Sequence, residues 1–589
     1  MSESAESGQE SGQESGQFVS STDIAIYLFW AVLPILLTIA GVILVYIYYV
    51  RPNSGKLSFL NKCLLICLPI LLSFIFQYIY YAPGPRFNYF LSILYDETPI
   101  KTGFAHTRDK EWPFLGSASI TIKGTNYIFL GGGGKQKDSL IYYNLKQQKF
   151  IDVIDKTNLS SLSPTFSAVS FDMDKDGKND LVIGRQDGVY LYKNLGNLQF
   201  KKTKLAEQKD RVPLAVSISD YNRDGNPDIY ISNFIPNSKY KGTVFNTPSH
   251  NRSNVLLEGD GKGWKDVTIK SKSGGASNTF TSAWVDLNQD SYPDLVLSHD
   301  SSEVEILENV QGKYFQSRKV QGKGNWMGLG IGDFDQDLDQ DLFLTNVGDD
   351  ISKDKLSLGD IKEGQNQLFS HIFLRNDGNF KFVDVIDKKG EKGGQSSGVS
   401  GSGFGWGAMF GDLDLDGKVD LLFSENFLLD PRDWIYPGAS QHYQNKGNGK
   451  FERKFQYRNH NFGQTPLLVD INQDNKKDVI WVNQYGDSIA YLNNSKNSYL
   501  NVKLPETVDY VNAKVTLYTN QGAQRKEVIQ GGEGFGSNSS NVVQFGLGKD
   551  SKLKLEKVEV ETLKGEKYQV INPKANSTLT LKELKKTRK

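Results

Sequence analysis

An all-β fold of repeated four-stranded units is what this sequence predicts, and three observations predict it. Six short acidic loops of one pattern are spread along residues 172–478. Each is flanked by apolar runs of strand length, which marks a repeat architecture rather than a single site. Aromatic residues and glycine are abundant, with 33 Phe, 28 Tyr, 8 Trp and 57 Gly in 589 residues. That mix suits many short strands joined by tight turns.

Each loop carries an oxygen-bearing side chain at positions 1, 3, 5 and 9. The sets are Asp172, Asp174, Asp176 and Asp180; Asp220, Asn222, Asp224 and Asp228; Asp286, Asn288, Asp290 and Asp294. They continue with Asp333, Asp335, Asp337 and Asp341; Asp412, Asp414, Asp416 and Asp420; Asp470, Asn472, Asp474 and Asp478. Alternating carboxylates in a short loop converge on one point, and hard Ca²⁺ takes about six to eight oxygens at about 2.3–2.6 Å. Up to six structural calcium ions are therefore expected. Position 6 turns the chain sharply and favours Gly or Asn. Gly177, Gly225, Gly417 and Asn475 suit it, whereas Ser291 is poorer and Leu338 is expected to resist a left-handed turn. Asn at position 3 lowers ligand charge in three loops. The Asp172 and Asp412 loops are expected to bind most tightly, and the Asp286 loop most weakly.

The repeating unit reads as strand, acidic loop, strand, turn, strand, turn, strand. In the fifth unit Gly405 to Phe410 is the first strand, Asp412 to Asp420 the loop and Leu421 to Phe423 the second strand. Four strands per unit make a propeller blade. These motifs resemble the FG-GAP/VCBS repeats of integrin-α-like propellers over roughly residues 110–498. Residues 116–150 show the same apolar rhythm, Tyr127 to Gly131 and then Leu140 to Asn144, but the turn Lys123-Gly124-Thr125-Asn126 has no carboxylate. The expectation is a seven-bladed β-propeller of six calcium-loop blades and one degenerate blade. Ile100 to His106 is expected to close the ring onto the last blade, removing exposed edges.

The N-terminal end predicts a membrane anchor. Residues 1–23 form an acidic tail, expected to be disordered for its low-complexity repeat SGQESGQESGQ. Residues 24–50 and 63–82 carry no charge, and the linker between them holds Arg51, Lys56 and Lys62. Two transmembrane helices over 24–82 would span a hydrocarbon core of about 30 Å. The positive-inside rule would then place the linker in the cytoplasm and the propeller outside. A bacterial inner membrane facing the periplasm, or a cell exterior, is the expected location. The only cysteines, Cys63 and Cys67, lie in the second span, so cysteine usage names no compartment. Residues 83–109 read as linker.

Residues 499–582 change character. Val515-Thr516-Leu517, Glu527-Val528-Ile529 and Val558-Glu559-Val560 alternate as strands, with the glycine-rich turn Gly531 to Phe535 between them. With Phe545-Gly546-Leu547-Gly548 after that turn, the segment looks like an ASPIC/UnbV domain. A propeller followed by this domain is similar to the cartilage acidic protein family. The departure is Gly534-Phe535-Gly536-Ser537-Asn538, where that family more often carries a Tyr and a Ser-Gln pair. Residues 583–589 are a basic tail.

Lys+Arg and Asp+Glu both total 68, so no basic face points to nucleic acid. Long connections follow the second strands at 233–253, 346–370 and 425–441, and Gly/Ser-rich 389–404 enters a first strand. Loops on a rigid scaffold are where binding resides, so Lys239, Tyr240, Lys241, His250, Arg252, Arg432, Trp434 and Tyr436 are the candidates for holding a partner. Catalysis finds little support: Gly394-Gln395-Ser396-Ser397-Gly398 fits a nucleophile motif but not its strand–turn–helix setting. The expected function is a membrane-anchored, calcium-stiffened module that binds an extracytoplasmic protein or glycan. The alternatives are a polysaccharide-acting enzyme such as a lyase, and a structural subunit of a membrane complex.

Overall fold

The computed structural model describes residues 99–107, 112–240, 251–275, 277–348, 369–387, 397–401, 403–425, 440–454, 457, 459 and 461–587. They form an all-β assembly of nine separate sheets. Seven follow one another along the chain. Sheet 1 holds Ser117–Ile122, Thr125–Leu130, Ser139–Asn144 and Lys149–Asp152. Sheet 2 holds Thr165–Phe171, Asp180–Arg185, Gly188–Gly196 and Gln199–Ala206; sheet 3 holds Val212–Ser219, Asp228–Phe234, Val255–Gly259 and Trp264–Asp266. Sheet 4 holds Thr279–Val285, Asp294–His299, Ser302–Val310 and Tyr314–Gly324; sheet 5 holds Leu329–Gly332, Asp341–Leu344, Ile372–Asn376 and Phe382–Asp384. Sheet 6 holds Gly405–Gly411, Asp420–Glu425, Gln441–Gly447 and Lys450–Lys454, and sheet 7 holds Phe462–Val469 and Asp478–Tyr491. Within each of these sheets, consecutive strands pair antiparallel. Ile100–His106 adds to sheet 7 by antiparallel pairing with Asp478–Tyr491.

Sheets 8 and 9 are built from the C-terminal segment. Sheet 8 orders Val543–Gly548, Ser498–Lys503 and Ser577–Thr580; sheet 9 orders Gly522–Glu527, Lys514–Thr519, Leu555–Glu561, Lys567–Ile571 and Lys585–Lys586. Between them lies a separate apolar core of Leu500, Val502, Val515, Leu517, Phe545, Val558 and Val560. The alternation of Val515 and Leu517 with polar neighbours sends one face inward, as a half-buried strand requires.

The expected seven-bladed β-propeller with a transmembrane hairpin is corrected by this architecture. No closed propeller is formed by the described residues. The first strands of sheets 1 to 7 pack in series, each against the next. Between sheet 7 and sheet 1 stands a two-residue strand of the C-terminal segment, Ser537–Asn538. It pairs in parallel with Ser117 and Ala118 and packs against Phe462–Val469. The sequence pattern of each sheet is local, so it cannot show that a segment from residues beyond 500 enters between the first and last of them.

Glycine makes that entry possible. An added Cβ at Gly532 would lie 1.8 Å from the Ser282 carbonyl oxygen, and the backbone there has φ +89°. At Gly536 it would lie 2.5 Å from the Phe166 carbonyl, and at Gly531 2.6 Å from that of Val216. The turn Gly531 to Phe535 is thus no surface connection. It lies among the first strands, with Ile218 donating its N–H to the Gln530 carbonyl (2.9 Å) and Gly534 bridging to Leu329. Phe535 is fully buried against Phe114, Phe280 and Trp406, at ring separations of 4.9, 5.6 and 5.6 Å.

The two spans read at 24–50 and 63–82 lie outside the described residues. No helix among the described residues is long and apolar enough to cross a membrane. The helices present there are the four-residue Thr268–Ser271 and two 3-10 turns. Placement of the chain as an integral membrane protein therefore has no support in the structure, and that expectation is withdrawn.

Candidate metal centre

All six acidic loops join the first strand of a sheet to its second, in sheets 2 to 7. They fold alike because the aspartates at positions 1 and 9 organise the backbone. The position-1 carboxylate accepts the N–H of position 6, as in Gly177 to Asp172, Gly225 to Asp220, Gly417 to Asp412 and Asn475 to Asp470, all at 2.9 Å. One oxygen of the position-9 carboxylate accepts the N–H of position 2, as in Met173 to Asp180 at 3.1 Å and Ile471 to Asp478 at 2.8 Å. Its other oxygen accepts an N–H from further along the chain, as in Asn194 on the third strand to Asp180 and Asn493, just past Asp478–Tyr491, to Asp478, both at 2.7 Å.

Position 6 is left-handed in every loop, with φ +69° at Ser291 and +77° at Leu338. The expected resistance of Leu338 is overcome because its N–H donates to Asp333 (3.1 Å). Left-handed backbone at such a residue costs roughly 1–2 kcal/mol. Position 4 is left-handed too, at Lys175, Arg223, Gln289, Gln336, Leu415 and Gln473. These varied residues carry no sequence signal for it.

Three sets of carboxylates converge to within 4.8 Å of one another: Asp172, Asp174 and Asp180; Asp333, Asp335 and Asp341; and Asp412, Asp414 and Asp416. In the three loops with Asn at position 3, namely Asp220, Asn222, Asp224 and Asp228, then Asp286, Asn288, Asp290 and Asp294, then Asp470, Asn472, Asp474 and Asp478, the three carboxylates do not converge within that distance. All six position-9 aspartates are buried, with 0 or 1% of their surface exposed. Burial raises Asp180 and Asp333 to about 7 and Asp478 to about 8, with neighbouring carboxylates adding to each shift. Asp220 is raised by burial to about 6. In two loops buried carboxylate oxygens lack any partner: Asp220 Oδ1, Asp333 Oδ1 and Asp335 Oδ1.

A set of asparagines that the reading of the sequence missed ties the loops together. Asn309, Asn376 and Asn445 on the third strands, and Asn493 just past Asp478–Tyr491, are buried. Each donates its side-chain amide to the position-2 carbonyl of the preceding loop: Tyr221 (2.9 Å), Leu287 (3.0 Å), Phe334 (2.8 Å) and Leu413 (2.8 Å). The same amide donates to the position-8 carbonyl of its own loop. Their signal was present as a recurrent Asn near the end of the third strand. Asn493 also sits in an Asn-x-Ser sequon, and its burial removes it as a glycosylation acceptor.

The C-terminal segment covers these loops. Asp172 donates its N–H to the Glu506 carbonyl (2.9 Å), Lys175 pairs with Asp509 (2.8 Å), and Gly546 donates to Asp412 (2.9 Å). Burial lifts Glu506 and Glu527 to about 7.

The candidate partner residues divide. Lys239 and Arg252 come together on Asp210, with Arg252 Nη2 at 3.2 Å from its carboxylate. Tyr240 packs edge-on to Trp112 at 5.0 Å. Lys241, His250, Arg432, Trp434 and Tyr436 lie outside the described residues, as do Gly394, Gln395 and Ser396 of the nucleophile-like motif.

Two family models match parts of the chain: an FG-GAP-like repeat over residues 172–231, and ASPIC and UnbV over residues 505–588. The chain is thus a β-rich protein with an FG-GAP-like repeat and a C-terminal ASPIC/UnbV domain. A search of curated proteins finds no match, and the narrower resemblance to the cartilage acidic protein family gains no support. Among solved structures, a lectin of Agrocybe aegerita that recognises non-reducing terminal N-acetylglucosamine is similar at 14% identity and a TM-score of 0.36. That match covers 68% of this chain and 92% of the lectin. BBS1N, solved in complex with ARL6DN, is similar at 8% identity and TM-score 0.38, covering 67% of this chain and 97% of that one. Rhamnogalacturonan lyase YesW is similar at 12% identity and TM-score 0.35, covering 66% and 74%.

Proposed function

We propose that this protein is a binding module stiffened by calcium, which takes a protein or a glycan on the connections at the strand ends opposite the acidic loops. One observation carries the metal half. Asp333 and Asp335 each keep an unpartnered buried oxygen in a loop where three carboxylates converge. An unpartnered buried acceptor costs about 1–3 kcal/mol, and more for a charged group. A hard divalent cation supplies what each lacks. Asp333, Asp335, Asp337 and Asp341 would hold it, and the ion would neutralise charge rather than drive a reaction. At about 1 mM Ca²⁺ and a Kd near 10 µM each such site stabilises the fold by roughly 2.7 kcal/mol. Sites saturated in this way act as clamps, not sensors.

The binding half rests on placement. The second-to-third connections leave the strand ends opposite the acidic loops, and Lys239, Tyr240 and Arg252 lie there. The test has two arms. Calcium and chelator are compared by thermal unfolding and by metal content of the purified chain; equal melting and no bound calcium would end the metal reading. Lysine crosslinking and a glycan array then search for the partner. Cleavage of any polysaccharide on the array would replace binding by catalysis.

A further inference from the structure

Lys514 sits where no sequence pattern places a cation. Its Nζ donates to Asp286 Oδ2 at 2.6 Å, with the carboxylate fully buried and the lysine side chain 16% exposed. Asp286 is position 1 of the fourth-sheet set's loop between Thr279–Val285 and Asp294–His299. Its oxygens also accept the N–H groups of Asp290 (3.0 Å) and Ser291 (2.9 Å). The ammonium thus completes a carboxylate that the backbone already holds on its other side.

The contact belongs to a built network. Asp286 donates its own N–H to Glu527 at 3.2 Å. Asn512 donates its amide to Glu527 (2.9 Å) and to the Trp284 carbonyl (3.0 Å), and receives a bond from Ser219 (2.7 Å). Asn512, Lys514 and Glu527 all come from the ASPIC/UnbV domain. Among the described residues, no other position-1 carboxylate meets an ammonium at hydrogen-bond distance. Lys564 stands 3.9 Å from Asp220 and is 43% exposed. Lys178 and Lys418 pair with position 5, at Asp176 and Asp416, from within their own loops.

We infer that Lys514 is the resident cation of the Asp286 loop, so that this loop takes no calcium while its neighbours do. A lysine ammonium is a compact point charge with three donors. It satisfies a buried carboxylate as a metal would, but it is covalently part of the chain. A divalent ion at Asp286 would have to displace it from its acceptor against like-charge repulsion. This rests on the calcium reading of the other loops and corrects its count from six.

The test counts calcium on the full-length chain by native mass spectrometry and equilibrium dialysis. Wild type and Asp286→Asn are expected to bind the same number of ions. Lys514→Met is expected to bind one more, and Lys514→Met with Asp286→Asn to return to the wild-type count. A loss of one ion in Asp286→Asn, or an unchanged count in folded Lys514→Met, would overturn the inference. Asp286→Asn decides it even where Lys514→Met does not fold. Wild type with no calcium at all would instead sink the calcium reading itself.

Discussion

Asn376 shows how much one amide can carry. Its Nδ2 donates to Leu287 in one loop and Gln340 in the next, and its backbone N–H donates to Asp341 at 2.8 Å. Asn376→Leu removes both amide bonds and leaves the Leu287 carbonyl buried. The expected cost is about 1–3 kcal/mol in urea unfolding; a loss below a few tenths would show that the link between loops is idle. The raised aspartates give a second prediction. Asp180, Asp333 and Asp478 stay protonated in the metal-free fold up to about 7, 7 and 8, whereas in the unfolded chain they ionise near 4. Between those values the fold binds more protons than the unfolded chain, so stability falls as pH rises. With chelator present, the midpoint of thermal unfolding should therefore be higher at pH 6 than at pH 8. Calcium needs the ionised carboxylates, so the gain in midpoint on adding it should be larger at pH 8. A calcium gain that is the same at both values would separate the ion from these groups.

At the scale of elements, the inserted segment Gly531 to Asn538 is the least expected part of the fold. Gly532→Ala places a methyl on the Ser282 carbonyl and should expel the segment. Phe535→Ala empties a fully buried ring site, at a cost of roughly 3–5 kcal/mol. Thermal unfolding of both variants checks this, and wild-type behaviour in Gly532→Ala would mean the segment yields easily. The strands themselves were legible. Leu181 to Gly184, Leu421 to Phe423 and Val558 to Val560 alternate or run apolar as strands do, and each lies in one. The acidic loops were legible because their spacing is local. Val528 and Ile529 were read as strand, but the strand ends at Glu527, and after Val528 bonds to Ala513 and Asn512 the chain turns towards the insertion. What stayed hidden depends on contacts far apart in sequence: Gln530 to Ser170 and Ile218, Gly534 to Leu329, and Lys514 to Asp286. No periodicity records such a meeting. The closed ring failed as an expectation for the same reason.

For the whole molecule, the C-terminal domain is part of the frame rather than an appendage. It caps the acidic loops through Glu506, Asp509, Lys514 and Gly546 and supplies the inserted segment. A chain ending at residue 498 should therefore lack cooperative unfolding and lose calcium binding, measured by calorimetry and metal content. A truncated chain that melts cooperatively with its full complement of calcium would make the domain dispensable.

Ile100–His106 hydrogen-bonds to Asp478–Tyr491, the last strand of sheet 7. This strand must therefore wait, with its edge unsatisfied, while nearly four hundred further residues leave the ribosome. The first strands wait longer still, for Phe535. Completion of this fold waits for residues 531–538, and a nascent chain stalled before residue 531 should remain open to protease where the finished protein resists it.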